Sequence, residues 1–154
     1  MIQGPVCILA NTGAGRKAAA RMEHLMEPFR AAGLAPELRL IRNGAALSAE
    51  ARRARDGGFA TVIAAGGDGT ICTVASALSG SGVTLGIVPM GTFNFFARSL
   101  GLPNEPEAAI EALLQAEVQE VAAGEVNGQL FLNNASLGLY PALLEKREAA
   151  YAKW

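Results

Sequence analysis

The sequence predicts an α/β fold: a parallel β-sheet with helices on both faces, followed by a β-hairpin that would begin a second, β-rich domain. Three observations carry this. Four short apolar runs of strand length alternate with stretches of helical periodicity, the pattern of β-α-β units joined by right-handed crossovers. Between Thr61 and Ser76 the run TVIAAGGDGTICTVAS passes from small or β-branched uncharged residues, through a glycine hinge, into a helical stripe. Farther on, Asn127-Gly128 lies between two strand-like halves, the strongest short-range hairpin signal. The reading divides the chain at 1–120 and 121–154.

In order, Pro5 to Ala10 is an apolar strand that stops at Asn11, and a glycine-bearing turn leads into a helix. Met22, Leu25, Met26 and Phe29 make its apolar stripe, His24 falls off the stripe toward solvent, and Pro28 should kink the last turn. Gly33 is placed to end that helix. Glu37 to Arg42 alternates charged and apolar residues, as a half-exposed strand near a sheet edge would. Ala45 to Arg55 is an alanine-rich helix with Leu47, Ala51 and Ala54 toward the sheet. Thr61 to Ala65 is the central strand, and Ile71, Val74, Ala75 and Leu78 face inward from the helix after it. Val83 to Val88 is a fourth buried strand. Phe93, Phe96, Ala97 and Leu100 then form the stripe of a short helix, and Phe95 lies off it. Asn104 with Glu107 resembles the start of a helix through Gln115. After the hairpin, Leu143 to Lys153 reads as a charged helix. The first 120 residues therefore describe a Rossmann-like sheet.

Composition narrows the function classes. The 154 residues carry 13 Lys and Arg against 14 Asp and Glu, a net charge of −1. With no basic run, binding to nucleic acid by phosphate neutralisation is excluded from the reading; Arg52, Arg53 and Arg55 make a solvated helix face. Two cysteines, Cys7 and Cys72, sit in an apolar strand and an apolar helix and read as buried free thiols. With one histidine besides, a zinc site has few ligands. No apolar stretch approaches a membrane span, and the chain reads as cytoplasmic and soluble.

In open parallel sheets, ligands bind beyond the carboxyl ends of the strands. Asn11, the loop Gly66, Gly67, Asp68, Gly69, Thr70, and the residues after Val88, Thr92 among them, should gather there. A glycine turn between a strand and a helix aims unpaired N–H groups at one point and lets backbone approach closely, which suits a phosphate. Asp68 beside a phosphate is repulsive unless a cation intervenes, and Mg²⁺ with its waters is the usual mediator; the other reading of Asp68 is a helix cap. Thr92 and Asn94 have the same two readings, cap or ligand contact.

NTGAG after the first strand, GGDGTI after the third and PMGTFNFFARSLGLP after the fourth resemble, in order and spacing, the catalytic domain of the diacylglycerol kinase family. The resemblance covers roughly residues 4 to 140. It implies an ATP-dependent lipid kinase with Mg²⁺, its phosphate loop at Gly66 to Thr70, and Asn11 and Thr92 lining the ATP site. It also implies a lipid acceptor at a membrane surface and a catalytic base beyond Trp154, in a second domain. The sequence departs from the family at Cys72 and Thr73, where Asn-Glu is frequent, and at Phe95 and Ala122, where acidic residues are frequent. The alternatives are a NAD-kinase-like enzyme, which shares GGDGT but not the segment after Val88, and a non-catalytic nucleotide-binding module. Strand edges of the hairpin left uncovered, bearing Val126, Leu130, Phe131 and Leu132, predict self-association, most simply a two-fold homodimer.

Overall fold

A computed structural model describes residues 2, 4–12 and 16–136. Four strands, β1 (Val6–Asn11), β2 (Glu37–Ile41), β3 (Thr61–Gly66) and β4 (Thr84–Pro89), form one sheet in the order β2-β1-β3-β4. All three pairings are parallel, in registers that place Ile8 beside both Leu38 and Ile63, and Ala64 beside Ile87. β3 is buried along its whole length, and β2 at the sheet edge is half-exposed, as their compositions predict.

Alternate residues of each strand feed two cores. Cys7, Leu9, Val62, Ala64 and Ile87 face α3 (Gly44–Asp56), α4 (Asp68–Leu78) and α5 (Phe95–Ser99), which contribute Leu47, Ala51, Ile71, Val74 and Phe96. Val6, Ile8, Ala10, Ile63, Ala65 and Val88 face the opposite layer, where Met22, Leu25, Met26, Phe29 and Ile110 close the core. Each large side chain so buried contributes roughly 1.5–3 kcal/mol relative to exposure.

The helix expected around Met22 is two helices, α1 (Arg16–His24) and α2 (Glu27–Ala31), with Pro28 in the first turn of the second. Proline lacks the N–H that would bond to the His24 carbonyl, and its ring crowds that same oxygen. The break therefore falls at His24, a turn earlier than the expected kink. His24 is exposed, and Gly33 ends α2 at φ +74°. α6 (Pro106–Gln115) starts one residue later than Asn104 suggested: Glu105 is the N-cap, with no side-chain cap bond, and Pro106 opens the helix.

The hairpin is shorter than the stretch 121–133: β5 (Gly124–Val126) and β6 (Gln129–Phe131) pair antiparallel around Asn127 and Gly128, both at positive φ. That is the geometry Asn-Gly favours. Its apolar residues are not bare edges. Leu132 packs against the core beside α4, the Phe131 ring lies over Gly124, and Cys72 Sγ donates to the Leu130 carbonyl at 3.4 Å. Cys72 is consequently half-buried, not fully buried as its helix suggested, whereas Cys7 is sealed in the core; both thiols are free. Gly13 to Gly15 of the first loop and the expected helix Leu143 to Lys153 lie outside the described residues.

Candidate functional site

The carboxyl ends of β1, β3 and β4 meet as the strand order requires, and Asn11, the glycine loop and the segment after β4 converge there. β1 ends on Asn11, whose Nδ2 donates to Thr70 Oγ1 at 3.1 Å. Thr70 is buried in the first turn of α4, so this bond ties the end of β1 to the start of the helix. Gly66, the last residue of β3, faces that threonine: a Cβ there would lie 2.5 Å from Thr70 Oγ1. The Gly66 carbonyl accepts from Met90 N at 2.8 Å, carrying the sheet one residue past β4.

Gly67 and Gly91 bring the two loops into backbone contact. A Cβ on Gly91 would sit 2.5 Å from Gly67 Cα, and one on Gly67 would sit 3.2 Å from Gly91 Cα. Asn94 locks the arrangement from beneath. It is buried in the left-handed region at φ 51°, its Oδ1 accepts from Gly91 N at 2.9 Å, and its Nδ2 donates to the Gly91 carbonyl at 3.1 Å. Asn94 is thus a clamp on its own loop, and Thr92 is left exposed beside it.

Gly69 differs from these. It is exposed in the first turn of α4, and a Cβ there would meet nothing within 4 Å. The N-cap of α4 is Gly67, which offers no side chain to the first-turn amides. Those N–H groups have no intrahelical acceptors and carry the positive end of an 11-residue helix. An open, glycine-lined, electropositive helix end is where an anion fits.

Asp68 is a cap, but of another helix. Its Oδ1 accepts from Phe96 N, in the first turn of α5, at 3.1 Å, and from Asn133 Nδ2 at 3.4 Å. One carboxylate oxygen therefore joins α4, α5 and the segment after the hairpin. The sequence reading did not single out Asn133; its only signal was the Asn133-Asn134 pair at the hairpin's exit. Among the described residues no group of three or more His, Cys, Asp or Glu is arranged to hold a metal ion. A cation here would lean on Asp68 and on the ligand's own oxygens, as Mg²⁺ does with phosphates. Phe95 and Ala122, where the resemblance places acids, are both exposed, Ala122 in an irregular stretch before β5. Glu125 is exposed on the hairpin.

A groove of about 1440 Å³ lies elsewhere: it runs along β4 at the open edge of the sheet, walled by Leu85, Leu113, Val118, Val121 and Leu132. Asn11, Gly66 to Thr70, Gly91, Thr92 and Asn94 do not line it; Phe96 does. No helix among the described residues is long and apolar enough to cross a membrane.

Comparison with known proteins finds relatives of this sequence and of this fold. Residues 5–126 match the family model described as the diacylglycerol kinase catalytic domain. A probable lipid kinase YegS-like of Pseudomonas aeruginosa is 53% identical over 83 residues, which is 53% of this chain and 27% of the relative. A diacylglycerol kinase of Bacillus subtilis is 43% identical over 83 residues, 52% of this chain and 27% of that protein. The solved structure of a putative diacylglycerol kinase from Bacillus anthracis superposes with a TM-score of 0.73 at 26% identity, over 84% of this chain and 47% of that one. The chain thus spans less than half of the relatives it matches.

Proposed function

We propose, for a chain that belongs to the diacylglycerol kinase catalytic-domain family, that it is the nucleotide-binding part of an ATP-dependent lipid kinase. The observation that carries the reading is the open first turn of α4 at Gly69, held between Asn11–Thr70 on one side and Asp68 on the other. In this reading the first-turn N–H groups of α4 hold the ATP phosphates. Gly66 and Gly67 keep the loop close enough to β4 for that turn to stay exposed. Asn11 and Thr70 fix its angle, Thr92 lines the mouth, and Asp68 supplies the carboxylate for Mg²⁺. The ion would neutralise charge on the β- and γ-phosphates during transfer.

The acceptor in this reading is a lipid hydroxyl at a membrane surface, and the protein acts from the cytoplasm. A positioned base is typically worth about a hundred- to ten-thousand-fold. Asp68 is occupied with α5 and the phosphates, and the acids of the family are replaced at Phe95 and Ala122. We assign the base, and the acceptor's pocket, to a second domain that the stretch 121–154 begins. Self-association through the hairpin, as a homodimer, belongs to the same reading, though Leu132 packs against the core, the Leu130 carbonyl is tied to Cys72, and Val126 is left exposed for such a contact.

Titration calorimetry with ATP and Mg²⁺ tests the site. Binding that Gly69→Val abolishes is the expected result, and equal binding by the two proteins would sink it. Gly67→Val is the weaker probe, because a side chain there meets Gly91 before any ligand. Radiolabelled ATP with diacylglycerol, phosphatidylglycerol or sphingoid bases in mixed micelles tests the rest. No lipid phosphate above the blank is expected from these 154 residues alone. Mg²⁺-dependent product abolished by Asp68→Ala would show a complete active site in them.

A further inference from the structure

Phe93 and Phe95 are 63% and 53% exposed, and their rings stack face to face with centroids 5.2 Å apart and planes 4° off parallel. A pair of phenyl rings held together in water is unusual for a surface loop, where large apolar side chains are ordinarily scattered singly. The pair sits at the candidate site: Phe95 is flanked by Asn94, the clamp on Gly91, and Phe96, whose N–H the Asp68 carboxylate holds. Neither ring lines the large groove along β4. The exposed Leu100 lies just past the same short helix.

Charge around the pair is as unusual as its exposure. From Gly69 to Asn104 the chain has no acidic residue and one charged residue, Arg98. Arg98 is exposed, three residues after Phe95 on α5 and so on the same side of the helix, and no carboxylate pairs with it among the described residues. Arg42 and Arg52 likewise lack a carboxylate partner among the described residues, whereas Arg21, Arg30, Arg39, Arg53 and Arg55 have one.

We propose that Phe93, Phe95 and Arg98 form a docking face for a bilayer that carries anionic headgroups, and that it brings the phosphate loop to the lipid surface. This rests on the lipid-kinase reading for its purpose but not for its chemistry. Phenyl rings beside an unpaired arginine match the boundary between acyl chains and anionic headgroups, where rings bury shallowly and the guanidinium meets phosphate. A nucleotide base would ask for a concave seat with polar groups at its edges. Here each ring spends one face on the other, and both are more than half exposed rather than seated in a cleft. A protein with a net charge of −1 gains nothing from approaching an anionic surface at random, so the side that bears Arg98, where the Asp68 carboxylate is held by the Phe96 N–H and Asn133, sets the orientation.

Flotation of the 154-residue chain with vesicles of equal parts phosphatidylcholine and phosphatidylglycerol tests the proposal, with pure phosphatidylcholine vesicles and added inorganic phosphate as the other arms. Wild-type protein should float with the anionic vesicles, more weakly with the neutral ones, and remain bound when millimolar phosphate is added. Phe93→Ser with Phe95→Ser should weaken vesicle binding about tenfold or more, and Arg98→Gln roughly fivefold and only on anionic vesicles. The melting temperature and the affinity for Mg·ATP should be unchanged in both. Release by free phosphate, vesicle binding that survives the double substitution, or a wild-type chain that floats with neither vesicle would overturn it. So would a double variant that loses ATP and keeps the vesicle, since the rings would then be a platform for the base. Loss of ATP binding by wild-type protein, with vesicle binding intact, would remove the kinase reading and leave the docking face standing.

Discussion

The two halves of the glycine loop have the same composition and opposite surroundings. Gly66 and Gly67 are glycine because protein atoms occupy the space a side chain would need: Thr70 against the first, Gly91 against the second. Gly69, two residues on, faces space that the protein leaves open. The first half is a seam between two loops, and the second is a seat at a helix end. A substitution in the seam should therefore act on stability and only through it on binding, and one in the seat should act on binding alone.

The largest effect should come from the far side of the seam. Gly91→Ala puts a methyl group 2.5 Å from Gly67 Cα and 2.9 Å from Asn94 Oδ1. The first is backbone, and the second belongs to a buried side chain already making two hydrogen bonds. Neither can yield cheaply, so the cost should be near the top of the range for overpacking, about 3 kcal/mol. In a chain of this size that lowers the melting temperature by roughly 5–10 °C. Thermal unfolding followed by circular dichroism measures it; an unchanged midpoint would mean the loops can part.

How much of this was legible depended on which atoms carry the signal. The parallel sheet could be read because β3 is apolar throughout and β2 alternates, so burial on two faces or one is written in each strand. The loop Gly66 to Thr70 could be placed because a strand, a glycine hinge and a helix stripe follow each other without a gap. The division between seam and seat could not, since it depends on Gly91, 22 or more positions away in sequence. Asp68 was read as either a cap or a cation's partner on its own helix. That it reaches α5 and Asn133 depends on the meeting of three segments that no local pattern records. Phe93 was assigned to an inward stripe by its spacing, yet it is exposed because α5 begins only at Phe95 and the left-handed Asn94 turns the chain between them. Periodicity speaks only for residues that share one regular helix.

The contrast between packed and open extends to the thiols, with the next largest effect. Cys7 is sealed in β1, and burial raises its pKa from 9.0 to about 11. Below pH 9 the thiol is protonated in folded and unfolded chains alike, so its contribution is intact. Between pH 9 and 11 the unfolded chain ionises first, and stability is lost as pH rises through that window. Two pH units correspond to about 2–3 kcal/mol. Urea titrations at pH 8 and pH 11 should show this loss in wild-type protein and not in Cys7→Ala. Parallel losses in both would assign the alkaline sensitivity elsewhere.

In the seat, Gly69→Ala separates the two kinds of glycine. Alanine in the interior of a helix is favoured over glycine by roughly 1 kcal/mol, and nothing lies within 4 Å to oppose it. The melting temperature should hold or rise by a few degrees. The same methyl group stands over the amides proposed to bind phosphate, and affinity for Mg·ATP should fall about tenfold, some 1.4 kcal/mol. A variant both stabler and weaker in binding is the outcome only an open seat gives. Full affinity would place the phosphates elsewhere.

The smallest effect bears on the residue between the two halves. Asp68 holds α5 through the Phe96 N–H and, in the proposed function, balances Mg²⁺. Asparagine keeps a carbonyl oxygen for that N–H, and it caps about as well as aspartate, so Asp68→Asn should cost only a few tenths of a kcal/mol. Alanine removes the acceptor and should cost about 1 kcal/mol. Charge is the other variable, and calorimetry with and without magnesium isolates it. With Mg²⁺ present, Asp68→Asn should bind ATP several times more weakly, because the ion loses a balancing charge. With the metal chelated, the order should reverse: the carboxylate then only repels the phosphates, and the amide variant should bind ATP as well as or better than wild type. If Asn weakens binding equally in both conditions, Asp68 acts by holding α5 alone, and the metal in this site rests on the nucleotide's own oxygens.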